Sequence, residues 1–360
     1  MPIDEDLVIA EEVAAGVRGL LARRADLDVA RQIATTSEGH DPTLWSELAS
    51  TLGVHGLFVP AGHGGDEAGP HVGAAVFREL GTVLLPGPYF STLGQGVSTL
   101  IEADPSVLRN DVLRQVATGE STVATVGGGA VMQLDGSDRL TGSAADVLGA
   151  RGADWLIVQA SDASGVTSAY LVSGAEVTVD DQESVDASRR FGTVTFETAS
   201  GMLLAGPGRG AELLRRGAVT SAHLLAAEQL GAARANLNAV IAYARVREQF
   251  GRAIGSFQAV KHRLADAYVQ IVRLDTLLAL VLREVQDGTV DEVRAALLLE
   301  QAGRTARFVA DASIQIHGGI GFTWEHSAHL FLRRALADDV LLIPPAQRRQ
   351  VLSSALLQVS

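Results

Sequence analysis

From about residue 211 onward, apolar side chains recur every three or four positions over long uninterrupted stretches, and this periodicity constrains the fold more than any other feature. One set runs Leu230, Ala233, Leu237, Val240, Ala244. A second runs Val260, Leu264, Ala267, Ile271, Leu274, Leu278, Val281, and a third Leu298, Ala302, Thr305, Val309, Ala312, Ile316. Each set puts one apolar stripe along a helix, as antiparallel bundle helices require. The stripes read as scaffold, which leaves the helix ends as the place for function.

The rest of the chain has a different texture. The first ~115 residues read as helices joined by short loops, with Pro60-Ala-Gly-His-Gly-Gly65 and Pro86-Gly-Pro88 as punctuation. Beyond residue 120 come β-type runs at 123–126, 155–158, 169–172 and 193–196, separated by turn signals such as Asp135-Gly136 and Asp162-Ala-Ser-Gly165. Gly206-Pro-Gly-Arg-Gly210 marks a boundary. The expected fold is α+β: an N-terminal all-α domain over 1–117, a middle antiparallel β-domain over 118–205, and a C-terminal four-helix bundle over 206–360.

Composition narrows the function. The 360 residues are 47% hydrophobic and 20% charged, with a formal charge of −13. That balance suits a globular enzyme and argues against nucleic-acid binding, which depends on neutralising phosphates. The absence of cysteine excludes disulfides, thiolate metal sites and cysteine nucleophiles. The acidic start Met1-Pro-Ile-Asp-Glu-Asp lacks the basic region of a secretory signal, and no stretch approaches the ~20 apolar residues of a membrane span. A soluble, cytoplasmic protein with no membrane partner is expected.

Two clusters stand at the helix ends. In Arg247-Glu-Gln-Phe-Gly251, the arginine lies near the end of the first long helix and Gly251 is expected to break it. Ser256 is expected to cap the next helix, with Gln258 in its first turn. Helix-start amides suit an anion, Arg247 adds a planar charged fork, and Phe250 offers a flat apolar face. In Gln315-Ile-His-Gly-Gly-Ile-Gly-Phe322, Gly318 and Gly319 exceed what a helix cap demands and let a ligand approach the backbone. No strand precedes these glycines, so the Rossmann fingerprint does not apply. Together the clusters could surround the ADP half of a dinucleotide.

These motifs, with Gln258 and Thr323-Trp-Glu-His326, resemble the carboxy-terminal half of acyl-CoA dehydrogenases. Leu52-Gly-Val-His-Gly-Leu57-Phe-Val-Pro60, Gly64-Gly65, Glu79-Leu-Gly81 and Pro86-Gly-Pro88-Tyr resemble the family's amino-terminal domain. The resemblance implies a flavoenzyme in which a carboxylate takes the α-proton of an acyl-CoA while the flavin takes the β-hydride. It also implies FAD shared across a subunit interface, one protomer holding the ring and its neighbour the pyrophosphate and adenosine. The positions matching the neighbour's role are Arg247, Gln249, Phe250, Gln258, Gln315, Gly318 and Gly319, with Gln249 where a Ser or Thr is frequent.

The ring side departs from the family. Val123-Ala-Thr-Val-Gly-Gly-Gly129 stands where a Thr-Glu-Pro-x-x-Gly-Ser-Asp stretch is usual, and Asp146-Val147-Leu148 replaces Trp-Ile-Thr. The two places where the family puts its base hold Leu342 and Ser221, and Ala222 replaces an arginine that helps hold CoA. Glu228 is expected to face elsewhere, Asp338 and Asp339 to be solvated, and His317, His326 and His329 to be surface or capping residues. No catalytic residue is assigned and no metal is expected. The chain resembles the short partner subunit of heteromeric actinobacterial acyl-CoA dehydrogenases. The resemblance implies an α2β2 assembly with a longer subunit, FAD, an acyl-CoA substrate and an electron-transfer protein as acceptor. The alternatives are a self-sufficient homo-oligomer with a displaced base and an assembly module without FAD.

Overall fold

The computed structural model describes residues 3–127, 129–135 and 139–358. Helices α1 (Ile3–Arg24), α2 (Leu27–Ala34), α3 (Pro42–Ser50) and α4 (Pro70–Thr82) come first. A π-helical stretch, Phe90–Gly96, leads into α5 (Val97–Glu102), and α6 (Val107–Ala117) follows. Seven strands come next: β1 (Val123–Thr125), β2 (Met132–Leu134), β3 (Arg139–Leu148), β4 (Trp155–Ser161), β5 (Thr167–Ser173), β6 (Val177–Gln182) and β7 (Phe191–Ala205). The remainder is α7 (Gly210–Val246), a small hairpin of β8 (Glu248–Gln249) and β9 (Arg252–Ala253), α8 (Gln258–Gln286), α9 (Glu292–His317), α10 (Ala328–Asp338) and α11 (Pro345–Gln358). Helices, then sheet, then helices is the order expected from the sequence.

Two compact units form from these elements. Of the described residues, those up to Ile9, Arg31–Gly73 and Pro86–Ser221 make one; Ala10–Ala30, Ala74–Leu85 and those from Ala222 onward make the other.

In the first unit the sheet pairings close on themselves, β4–β2–β3–β7–β5–β4, with β1 added beside β4 and β6 beside β7. Closure leaves few strand edges to pair with another chain. Most pairings are antiparallel, as expected, but β4 runs parallel to both β1 and β2. Met132, Leu140, Leu156, Val158, Val172, Val194 and Phe196 fill the interior. β3 gave no clear strand signal because Arg139–Leu148 lacks regular apolar alternation, and its pairing with β7 shifts register between Ala144 and Val147.

The helical part of this unit is pinned by Trp45, whose indole N–H donates to the Gly119 carbonyl at 2.9 Å. The indole lies 4.1 Å from the His55 ring and 5.2 Å from that of Tyr89, centroid to centroid. His55 is wholly buried. Burial, which disfavours the imidazolium, pushes its pKa from 6.5 down to about 4.

In the second unit, α4 and α7 cross so closely that only glycine fits at the contact. A Cβ on Gly81 would lie 2.1 Å from the Glu228 carbonyl oxygen, and one on Gly231 would lie 1.9 Å from that of Arg78. The apolar stripes of α7 and α9 are buried as their spacing implied; that of α8 is buried from Ala267 onward.

Two outcomes follow. Gly231→Ala should destabilise the protein by about 2 kcal/mol or more in denaturant titration, because the backbones must part; an unchanged midpoint would contradict the crossing. His55 has a depressed folded pKa, so its neutral form contributes fully above pH 6.5 and stability is lost as pH falls toward 4. Over that window His55→Leu should lose about 3 kcal/mol less than wild type; parallel pH profiles would show that His55 is not the acid-sensitive group.

Candidate functional site

The end of α7, the start of α8 and the end of α9 share one corner of the second unit. α7 already stops at Val246, although the Arg247 amide still donates to the Tyr243 carbonyl at 2.9 Å. The chain then turns through the β8–β9 hairpin, where Glu248 pairs with Ala253 and Gln249 with Arg252. Phe250 and Gly251 occupy the corners at φ 55° and 76°, as a two-residue turn with both φ positive demands. Gly251 is therefore the second residue of a hairpin turn, not the breaker of the helix.

Ser256 also differs from expectation. Its hydroxyl donates to the Ala253 carbonyl at 2.7 Å, within a single 3-10 turn, Ile254–Ser256. Phe257 takes the cap position of α8 without a side-chain cap hydrogen bond, and Gln258 opens the helix. The first amides of α8 thus lack a side-chain acceptor at the cap.

All seven proposed binding residues are exposed at this corner. Among the described residues no carboxylate pairs with the Arg247 guanidinium. Gln249 donates its amide to the Glu248 carbonyl at 2.8 Å. Phe250 is 93% exposed, its ring edge-on to Phe257 at 6.2 Å, and the Arg252 guanidinium lies 4.1 Å over the Phe257 ring. Gln315 lies on the last turn of α9, and Gly318 follows with φ 67°. A Cβ on either Gly318 or Gly319 would meet nothing within 4 Å. Gly318 is explained by its backbone angle. Gly319 is required by neither its angle nor crowding among the described residues.

The two clusters are joined by rings in tilted contact. Tyr243, one turn before Arg247, lies 4.3 Å from His317, the residue before Gly318, and His326 lies 4.1 Å beyond. At the α8 side, a Cβ on Gly255 would come within 2.8 Å of the Ala244 carbonyl oxygen. Burial lowers the pKa of His317 and of His326, and the neighbouring His326 imidazole further disfavours a charge on His317.

The candidate bases are occupied by structure. Ser221 is buried and donates to the Gly217 carbonyl at 2.7 Å, its own helix's preceding turn. Leu342 sits at φ 62°. Glu228 accepts from the Arg334 guanidinium at 2.6 Å, with the arginine only 2% exposed, and Arg334 also donates to the Leu84 carbonyl at 3.0 Å. Asp338 is buried, and Asp339 binds both Arg307 and Arg348, so neither is the solvated carboxylate expected from sequence. The reason is that α10 packs back on the bundle, which local charge spacing does not reveal. His317 and His329 are likewise buried instead of superficial, whereas the His326 Nδ1 accepts from the Ala328 amide at 3.1 Å in a capping role.

The segments expected beside a flavin ring look unlike a ring pocket. Val123–Val126 is buried within the sheet, and Gly128 lies outside the described residues. Asp146 is exposed at φ 58° in the β3 irregularity, its amide donating to Gln182 at 3.0 Å, while Val147 turns into the core.

The model of the acyl-CoA dehydrogenase C-terminal domain matches residues 208–341. The acyl-CoA dehydrogenase IpdE2 of Mycobacterium tuberculosis is 32% identical over 346 residues, 96% of this chain and 95% of that protein. The chain belongs to the acyl-CoA dehydrogenase family. Among solved structures, a variant of the Tcur3481–Tcur3483 steroid ACAD superposes with a TM-score of 0.87 at 25% identity, covering 97% of this chain and 98% of that one. The ChsE4–ChsE5 complex from Mycobacterium tuberculosis gives 0.86 at 24% identity, covering 97% of each chain. These likenesses extend the acyl-CoA dehydrogenase fold over nearly the whole chain. Among the described residues, no helix is long and apolar enough to cross a membrane, and no group of three or more His, Asp or Glu side chains could hold a metal.

Within this family frame, Glu228 and Ser221 should separate cleanly by experiment. Glu228→Ala strands Arg334 in the interior and should cost about 3 kcal/mol or more in stability. Ser221→Ala should cost about 1 kcal/mol at most. The reverse ranking in thermal or denaturant unfolding would contradict the structural roles given to them.

Proposed function

We propose that this chain is the partner subunit of a heteromeric acyl-CoA dehydrogenase and supplies the surface that holds the ADP half of FAD. The observation that carries the reading is the exposed corner at the ends of α7, α8 and α9. Among the described residues, it combines an arginine without a carboxylate partner, helix-start amides without a side-chain cap, and a glycine, Gly319, that neither crowding nor backbone angle requires.

The residues fit an anionic diphosphate. Arg247 would grip phosphate oxygens through its planar fork, and the first amides of α8 would add donors where the helix dipole is positive. Gln258 and Gln315 offer amide side chains, Gly318 and Gly319 bare backbone, and Phe250 a ring face. FAD, when bound, supplies the hydride acceptor for α,β-dehydrogenation of an acyl-CoA thioester. This chain's residues hold and orient its nucleotide tail. None of the base candidates raised by the sequence stands free: Glu228 and Asp339 are ion-paired, Asp338 is buried, and Ser221 is tied to its own helix.

Large apolar side chains left in water support a covering partner. Val246, Phe250, Phe322 and Trp324 are all exposed around these helix ends. The likeness to the Tcur3481–Tcur3483 steroid ACAD, whose name joins two components, supports a heteromer. On this reading the longer subunit brings the base and the ring pocket, and an electron-transfer protein reoxidises the flavin.

Co-expression with a longer acyl-CoA dehydrogenase subunit should give a yellow complex that an acyl-CoA bleaches. The chain purified alone should hold little flavin and bleach none. In the complex, Arg247→Ala should weaken FAD binding by about tenfold or more, as expected for a charge-assisted pair. Stoichiometric FAD with turnover by the chain alone would overturn the reading. Unchanged FAD affinity in the Arg247→Ala complex would favour an assembly module instead.

A further inference from the structure

The two halves of the proposed cradle lie on different elements, and the chain must set their separation. Arg247 and Phe250 follow α7; Gln315, Gly318 and Gly319 end α9. The side chains that span the gap are aromatic. Tyr243 of α7 lies against the ring of His317 at 4.3 Å and 35° between planes, and His317 lies against that of His326 at 4.1 Å and 47°. Each ring is bonded to the backbone of its own segment, apart from Tyr243. The His317 Nδ1 sits 2.8 Å from the Ser313 carbonyl, which can only accept, so that nitrogen carries the proton. The His326 Nδ1 accepts from the Ala328 amide and therefore carries none. Both tautomers are thus fixed by the backbone, which also orients both rings.

The placement is what gives the stack a consequence. The Tyr243 carbonyl accepts the Arg247 amide at 2.9 Å, so a shift of Tyr243 carries the arginine with it. His317 is joined covalently to Gly318, and a Cβ on Gly321 would meet the His317 side chain at 3.0 Å. The contacting atom is the His317 Cβ, so a displacement of His317 disturbs the turn that presents the two exposed glycines. The His317 ring is buried, and its Nε2 has no partner among the described residues. That nitrogen contributes ring shape here in place of a hydrogen bond.

We infer that Tyr243, His317 and His326 form a three-ring clasp that sets the spacing between Arg247 and the Gly318–Gly319 turn, making Tyr243 and His317 positioning residues for the nucleotide tail. The inference rests on the nucleotide-cradle reading above. The clasp touches neither the acyl-CoA nor the reacting atoms. It acts on retention of the cofactor and leaves the chemistry of the flavin that remains bound unchanged.

The test uses the co-expressed complex, with FAD dissociation constants measured by flavin fluorescence and turnover expressed per bound flavin. Removing a ring forfeits a stacking contact worth about 1 kcal/mol, so Tyr243→Ala and His317→Leu should each weaken FAD binding about fivefold. Turnover per bound flavin should stay at the wild-type value. Tyr243→Phe keeps the ring and should restore FAD affinity, a rescue that a general loss of folding would not show. Tyr243 is only partly buried, so its variants give the answer even if His317→Leu fails to fold. Wild-type FAD affinity in Tyr243→Ala, beside weakened binding in Arg247→Ala, would overturn the clasp alone. Wild-type affinity in Arg247→Ala as well would overturn the cradle, and the clasp with it.

Discussion

The buried pair between Glu228 of α7 and Arg334 of α10 is the fixed point of the helical unit. Two charges taken out of water are costly unless each satisfies the other and the remaining donors find acceptors. Arg334 meets that condition by donating also to the Leu84 carbonyl, just beyond α4. One guanidinium thus ties three segments of the unit, beside a crossing where Gly81 and Gly231 bring α4 and α7 into backbone contact. The arrangement has a functional corollary. Glu228 is engaged by a buried arginine and is committed to that structural role.

What remains for ligand recognition is the perimeter, where the same helices end. There the chain does things that its own stability does not call for. It leaves Phe250 93% exposed at a positive φ, keeps Arg247 unpaired among the described residues, and places glycine at 319 in open space. Local features that cost free energy without internal compensation are characteristic of binding surfaces. The β-domain segments that the family resemblance would set beside a flavin ring are unlike this: Val123–Val126 is buried in the sheet, and Asp146 is exposed at φ 58°.

The helices were legible because burial on one face imposes a 3.6-residue period, and Leu230 to Ala244 or Leu298 to Ala312 could hardly be read otherwise. Their ends were less so. Gly251 reads as a helix breaker, yet a two-residue hairpin needs glycine at that corner equally, and only the pairing of Gln249 with Arg252 distinguishes the two. Ser256 has the side chain of a cap, but a 3-10 turn claims its hydroxyl first. β3 carries no clear strand pattern because register shifts spoil its alternation. Asp338, Asp339 and His317 are buried or paired through contacts distant in sequence, which no local pattern encodes. The residues of the proposed site form a motif in the sequence, whereas the Tyr243–His317 contact that joins its two halves has no such mark. Tyr243 carries no signal beyond its place one turn before Arg247.

The central claim is that this polypeptide holds the nucleotide tail of a cofactor whose reactive ring belongs to another subunit. An experimental structure of the flavin-loaded complex measures it most directly, through the distances from the FAD diphosphate to Arg247 and from the isoalloxazine to each chain. The account predicts phosphate oxygens within hydrogen-bond reach of the Arg247 guanidinium and the ring seated against the longer subunit. An isoalloxazine packed on Val123–Val126 and Asp146–Leu148 of this chain, with Arg247 free in solvent, would contradict it.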